Sequence, residues 1–157
     1  METFTQIQDI DAPASQVWEI LANPQRDREW RSDVQWLWSD PAGPVVEGTR
    51  TREVVRVGGR RYATEAVVDS VDPGRSYSWR TTDGIDARGS RSVTPLAGGR
   101  CEVTVRWHLN PEGLDRLLLP MLKVSLARAA ERDLVTLAAL AADTHAAVTA
   151  QATPALA

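Results

Sequence analysis

Two charged residues stand where strand parity points them inward. Glu53 falls between Thr51 and Val55, on a strand face that also carries Thr49 and Val57 and no other charge. Arg91 falls in the same way between Gly89 and Val93. A lone carboxylate or guanidinium is costly to bury, so each needs a partner or a wet cavity. An inward carboxylate beside apolar walls has a raised pKa and can act as a general acid or base. An inward guanidinium can hold an enolate or carboxylate oxygen. The competing reading is a bulge that shifts parity by one residue and turns either charge to solvent. The same parity turns Trp36, Trp38, Tyr62, Tyr77, Trp79 and Trp107 inward. Taken singly, each is most simply a core residue. Together they suit the walls of an apolar pocket for a flat or ring-bearing ligand, with indole N–H groups as polar handles. Trp30, the hydroxyls of Thr51, Thr64 and Thr81, and Leu118, Leu122 and Leu126 of the last helix complete the candidate lining.

Other chemistries find no support in the sequence. It has no GxGxxG, no P-loop and no GxSxG. Of its two histidines, neither His108 nor His145 has a Cys, His or carboxylate at metal-ligand spacing. His108 also has outward parity. Cys101 reads as a small inert core residue. Neither a metal nor a cofactor is expected. Asp133 falls at the edge of a helical apolar stripe, where a surface carboxylate paired with an arginine is the commoner explanation. Arg50, Arg52 and Arg56, with Arg60 and Arg61 at the end, form an outward basic stripe. Such a stripe is usually a solvated face, and an acyl carrier protein is the kind of acidic partner it would suit.

The elements that must position these residues are legible from periodicity. Residues 2–10 alternate as a strand, with Phe4, Gln6, Gln8 and Ile10 on one side. In IDAPASQVWEIL, Asp11 can cap a helix and Pro13 suits its first turn. Asn23-Pro24 then starts a second short helix that ends near Trp30. Six strands follow, separated by turn signals at Asp40–Pro44, Gly58-Gly59, Asp72-Pro73-Gly74, Asp83-Gly84 and Gly98-Gly99. From Pro120 a helix of about 24 residues, roughly 36 Å long, carries Leu119, Leu122, Leu126, Ala130, Leu137 and Leu140 on one stripe, with Leu118, Leu134 and Ala141 at its margins. Pro120 is placed to start this helix or kink it, leaving Leu114–Leu119 as a flap near the cavity mouth. Consecutive hairpins imply an antiparallel meander, so the expected fold is α+β: a curved seven-stranded antiparallel sheet wrapped around a long C-terminal helix, with two short helices between strands 1 and 2. Residues 1–145 read as one domain and 146–157 as a flexible Ala-rich tail.

The bulk composition agrees. The 157 residues carry a net charge of −3 with 18 scattered basic residues, which does not suit a nucleic-acid surface. No apolar run approaches the ~20 residues of a membrane span. The N-terminal METFTQIQDID lacks the apolar segment of a signal peptide. A single cysteine fits a reducing compartment, so a cytoplasmic location is expected.

This order of elements, with IDAPASQVWEIL, NPQRDREW, Gly48, VVDSVDPGRSYSWR, TPLAGGRCEVTVRW and RDLVTLAAL as signposts, resembles the START-like (SRPBCC) superfamily. The likeness is to its polyketide cyclase/dehydrase-like branch and runs from about residue 3 to 143. The resemblance implies a helix-grip fold with a hollow between sheet and helix. It implies no common catalytic motif, since such proteins include lipid carriers, hormone receptors, ring-hydroxylase subunits, co-chaperones and aromatase/cyclases. In the aromatase/cyclases, a pocket arginine with nearby hydroxyls is thought to orient substrate and stabilise enolates. Only the idea carries over, since no motif fixes Arg91 as the equivalent; in an enzyme reading Arg91 would hold an oxyanion and Glu53, from its inward parity, would move protons. Three functions stay open at this point: a cofactor-independent cyclase, aromatase or dehydratase; a carrier or sensor of a hydrophobic molecule; and a co-chaperone-like interaction module.

Overall fold

The computed structural model describes residues 2–110 and 113–152, apart from the side chains at 114–119, 121 and 122. Strand β1 (Glu2–Ile10) leads into helices α1 (Ala14–Leu21) and α2 (Asp27–Trp30), the second entered through a 3-10 turn at Pro24–Arg26. Strands β2 (Val34–Asp40), β3 (Arg50–Val57), β4 (Arg60–Asp72), β5 (Ser76–Asp83), β6 (Ala87–Leu96) and β7 (Arg100–Leu109) follow, then helix α3 (Gly113–Ala152). The seven strands form one antiparallel sheet in the order β1-β7-β6-β5-β4-β3-β2. The expected α+β helix-grip architecture is therefore what the chain adopts. Because β1 and β2 lie on opposite edges, the segment between them must cross the whole sheet. That crossing carries α1 and α2 over the sheet's inner face, where α1 packs on β6, β7 and α3.

Local sequence explains most of these boundaries. Asn23 Oδ1 accepts the Gln25 N–H at 3.2 Å, with Pro24 in the first position of the turn, as its residue type favours. Asp11 does not cap α1. Pro13 holds the cap position, and Asp11 pairs with Arg100 at 2.7 Å instead. Gly58 and Gly59 both have positive φ, which lets two residues close the β3–β4 hairpin.

The solid core lies at one end of the hollow. Cys101, Val103 and Val105 of β7 and Val93 of β6 meet Val17, Ile20 and Leu21 of α1 and Leu134, Leu137 and Ala141 of α3. Leu134 and Ala141, expected at the margins of the helical stripe, are central, whereas Leu126 and Leu140 are only half-buried. Helix α3 also differs in length. It is 40 residues long and encloses Pro120 instead of starting there. It continues past His145 to Ala152, with residues 146–152 exposed.

One strand departs from simple alternation. Val34 faces Val55 but Trp36 faces Val54, so Gln35 is an extra residue in β2. Such a bulge turns every later side chain to the opposite face. Leu37 and Ser39 therefore point inward, while Trp36 and Trp38 lie outside at 49% and 43% exposure. The inward placement expected for these two tryptophans is thus corrected. Trp38 instead stacks beneath the Arg52 guanidinium, 5.6 Å from its ring centroid. Arg50, Arg52 and Arg56 are exposed on the outer face, as strand parity requires.

Candidate functional site

Between the inner face of β3–β6 and the helices lies a cavity of about 160 Å³. Its apolar walls include Leu37, Val55, Val68, Trp79, Trp107 and Leu126. Thr51, Tyr62, Thr64, Tyr77, Thr81, Glu53 and Arg91 also line it, so those sequence-predicted residues are brought together around one hollow. Leu118 and Leu122, expected in the same lining, lie outside the described side chains. Trp30 borders a second, adjoining chamber of about 80 Å³.

Gly89 gives the aromatic wall its shape. It faces Trp79 on β5 and Trp107 on β7. A Cβ placed there would lie 2.6 Å from the Trp79 ring and 2.8 Å from the Arg106 carbonyl. Only a residue without a side chain lets the indole lie flat across the strand. Gly89→Ala is expected to cost about 1–3 kcal/mol and to displace Trp79 from the wall. Thermal unfolding together with tryptophan emission of the folded variant would register both effects.

The polar end of the cavity is a network of ion pairs. The Arg91 guanidinium grips Asp27 at two points, Nη1 to Oδ1 at 2.7 Å and Nη2 to Oδ2 at 2.6 Å, and donates to the Leu21 carbonyl at 3.2 Å. It also packs against the Trp30 and Tyr77 rings, 4.9 and 5.8 Å from their centroids. Asp27 in turn accepts from Arg31 Nη1 at 2.9 Å, and the same nitrogen donates to Glu53 Oε2 at 2.9 Å. Arg31 closes a second fork on Asp33 through Nε and Nη2 at 3.2 and 3.0 Å. Two guanidiniums thus serve three carboxylates, leaving a formal excess of one negative charge at this end. The partner that inward Glu53 required is Arg31, and the partner of Arg91 is Asp27.

Electrostatics follow from this geometry. Burial alone would raise the Asp27 carboxyl, but the charges and hydrogen bonds of Arg91 and Arg31 outweigh it and hold the pKa below the ordinary value. Burial would lower both arginines, and the surrounding carboxylates more than offset that, so both stay fully protonated. Burial pushes the Tyr77 hydroxyl up to about 12, and that hydroxyl donates to the Leu21 carbonyl at 3.4 Å. Asp133 of α3 is buried rather than paired with an arginine at the surface. Its Oδ1 accepts the Ser32 backbone N–H at 3.0 Å, and burial raises its pKa.

Some expected groups are present but already engaged. The Thr81 hydroxyl accepts from the Ala87 N–H at 2.9 Å and is within donor range of the Ile85 and Ala87 carbonyls, so it closes the β5–β6 corner. Asp27, Arg31 and Asp33 were not foreseen as site residues. Their segment, DREWRSD, has the composition of a solvated turn. The available signal was indirect: an inward Arg91 needs a buried carboxylate. Among the described residues no cluster of His, Cys, Asp and Glu could hold a metal ion, and no helix is long and apolar enough to cross a membrane.

The family model described as "Polyketide cyclase / dehydrase and lipid transport" matches residues 1–142. No curated protein matches the chain. Among solved structures, the Zhui aromatase/cyclase from a Streptomyces species superposes with a TM-score of 0.74 at 19% identity, covering 89% of this chain and 93% of that one. A START superfamily protein from Mycobacterium smegmatis gives 0.62 at 15% identity, covering 82% and 94%. The di-domain ARO/CYC BexL gives 0.67 at 17% identity over 89% of this chain and 50% of that one. At these identities the superpositions establish the fold alone.

Proposed function

The chain belongs to the polyketide cyclase/dehydrase and lipid transport family, and from that premise we propose that it binds a hydrophobic, ring-bearing or polyketide-like small molecule in the cavity and rearranges it without a cofactor, as a cyclase, aromatase or dehydratase. The observation that carries this reading is the pairing of an apolar aromatic cavity with a charged cluster at one end. Apolar walls fold the ligand by excluding water, and the cluster acts on whatever carbonyl-rich part reaches it.

Glu53 is the proton carrier in this reading. It lines the cavity, and its Oε2 accepts from Arg31 Nη1 at 2.9 Å. Its carboxylate would remove a proton from a carbon flanked by carbonyls. The electron pair left behind forms a carbon–carbon bond to a second carbonyl carbon, and the proton passes from Glu53 to the new alkoxide. Loss of a further proton and of that hydroxyl as water would complete a dehydration. Arg31 holds Glu53 in place. Arg91 acts one step back, fixing Asp27 and through it Arg31, and adding positive charge beside any developing oxyanion.

A second reading is non-catalytic carriage, favoured by how fully the Arg91 guanidinium is already occupied by Asp27, the Leu21 carbonyl and two rings. The experiment that separates the two starts with native mass spectrometry of the purified protein for a co-extracted apolar ligand. A poly-β-carbonyl substrate is then incubated with wild type and with Glu53→Gln. Catalysis predicts products short of one water, formed roughly 10²–10⁴-fold more slowly by the variant while binding persists. Binding with identical product profiles in both proteins would leave carriage. No bound apolar compound in either would end the ligand-pocket reading.

A further inference from the structure

The two chambers share a partition made by Arg31, Asp33, Trp107, Leu109 and Leu126. Their sizes differ in a useful way. A single benzene ring occupies an engineered protein cavity of about 150 Å³. At about 160 Å³ the larger chamber has room for one such ring. At about 80 Å³ the smaller one is too small for a ring and admits only a short substituent. Trp30 lines the smaller chamber and not the larger. It is 5% exposed, and its indole Nε1 has no hydrogen-bond partner among the described residues. A buried donor of this kind is ordinarily matched by an acceptor. The carboxylate of Asp133 lines the same chamber, with Oδ1 already accepting the Ser32 N–H. The positive charge of Arg31 is already shared among Asp27, Asp33 and Glu53.

We propose that the smaller chamber is a subsite for a neutral oxygen acceptor, and that the ligand is a monocyclic aromatic compound bearing a short carbonyl arm. The ring lies in the larger chamber, and the carbonyl oxygen accepts the Trp30 Nε1–H. A carboxylate arm is disfavoured because it would face Asp33 and Asp133. This rests on the ligand-pocket reading above and narrows it from polyketide-like molecules in general to one enclosed ring with one polar arm.

Matched probes test it. Wild-type protein is titrated with toluene, with acetophenone, with α-methylstyrene (a methylene in place of the carbonyl oxygen) and with benzoate. Affinity is read from tryptophan emission, and the Trp30 indole N–H is followed by NMR, assigned with Trp30→Phe. Acetophenone is expected to bind roughly tenfold more tightly than α-methylstyrene, with benzoate weakest. The Trp30 N–H signal should move downfield with acetophenone alone. Ala130→Leu, which fills the smaller chamber from α3, should erase the preference while toluene still binds, and it supplies a second variant if Trp30→Phe does not fold. Equal affinity for the two isosteres, or an unmoved Trp30 signal at saturating acetophenone, overturns the subsite and leaves the pocket standing. Failure of every ring compound to bind, toluene included, overturns the pocket itself.

Discussion

Asp27→Asn is expected to lower folding stability by about 3–5 kcal/mol at neutral pH, the range for removing one partner of a buried ion pair. Asp27 is 2% exposed and is held by both guanidiniums. An amide of the same shape cannot balance either charge. It can accept through one oxygen only, so Arg91 would lose at least one point of its two-point grip in a site with little water. For a domain of this size the loss corresponds to a fall in Tm of roughly 10 °C. The pH dependence has a definite sign. Because the folded pKa of Asp27 lies below the ordinary carboxyl value of 3.8, its stabilisation is fully present above that value and disappears as pH falls through the folded pKa. The gap between wild type and Asp27→Asn should therefore narrow in acid. Urea unfolding at pH 7 and pH 3 measures it. A gap below about 1 kcal/mol at pH 7, or one unchanged at pH 3, contradicts the network as described. Replacing the whole pair, Asp27→Leu with Arg91→Met, should recover much of the loss, because no charge is then left buried alone.

How far the sequence disclosed this arrangement depends on how local each cause is. Strand β7 was readable because Cys101, Val103 and Val105 alternate with polar residues, and each lies on the core face in the folded chain. The order of hairpins fixed the meander for the same reason. Strand β2 was misread because the Gln35 bulge is set by pairing with β3, and nothing in VQWLWSD marks it. Pro120 suits either a helix start or a kink, and α3 runs through it, so the start is excluded; tertiary packing can enforce this against a local preference. The inward charges at 53 and 91 were visible from parity, but their partners were not. Asp27 and Arg31 are four residues apart, at the start of a one-turn helix and just past its end, a spacing that occurs on any solvated surface. Only the fold reveals that side chains of this turn reach Arg91 on β6 and Glu53 on β3. The 80 Å³ chamber was similarly hidden, since it depends on Ala127, Ala129 and Ala130 of α3 facing Trp30 and Phe4.

Arg31→Met is the substitution that should separate the site's structural and chemical roles most clearly. One guanidinium holds Asp27, Asp33 and Glu53 together, and its side chain is 15% exposed. Without it Asp27 keeps Arg91, but Glu53 and Asp33 lose their cation while still facing the same cavity. A cost of about 2–3 kcal/mol at pH 7 is expected, somewhat under the fully buried range because both carboxylates retain some water. Urea unfolding of wild type and variant at pH 7 measures that cost. Lysine should not substitute well, since one ammonium cannot form the two-point fork to Asp33 and reach Glu53 as well. If Glu53 moves protons as proposed, turnover falls roughly 10²-fold in Arg31→Met while affinity for an uncharged ring compound changes little, because the apolar wall is untouched. A large loss of affinity with unchanged turnover of the bound fraction would assign Arg31 to ligand binding instead.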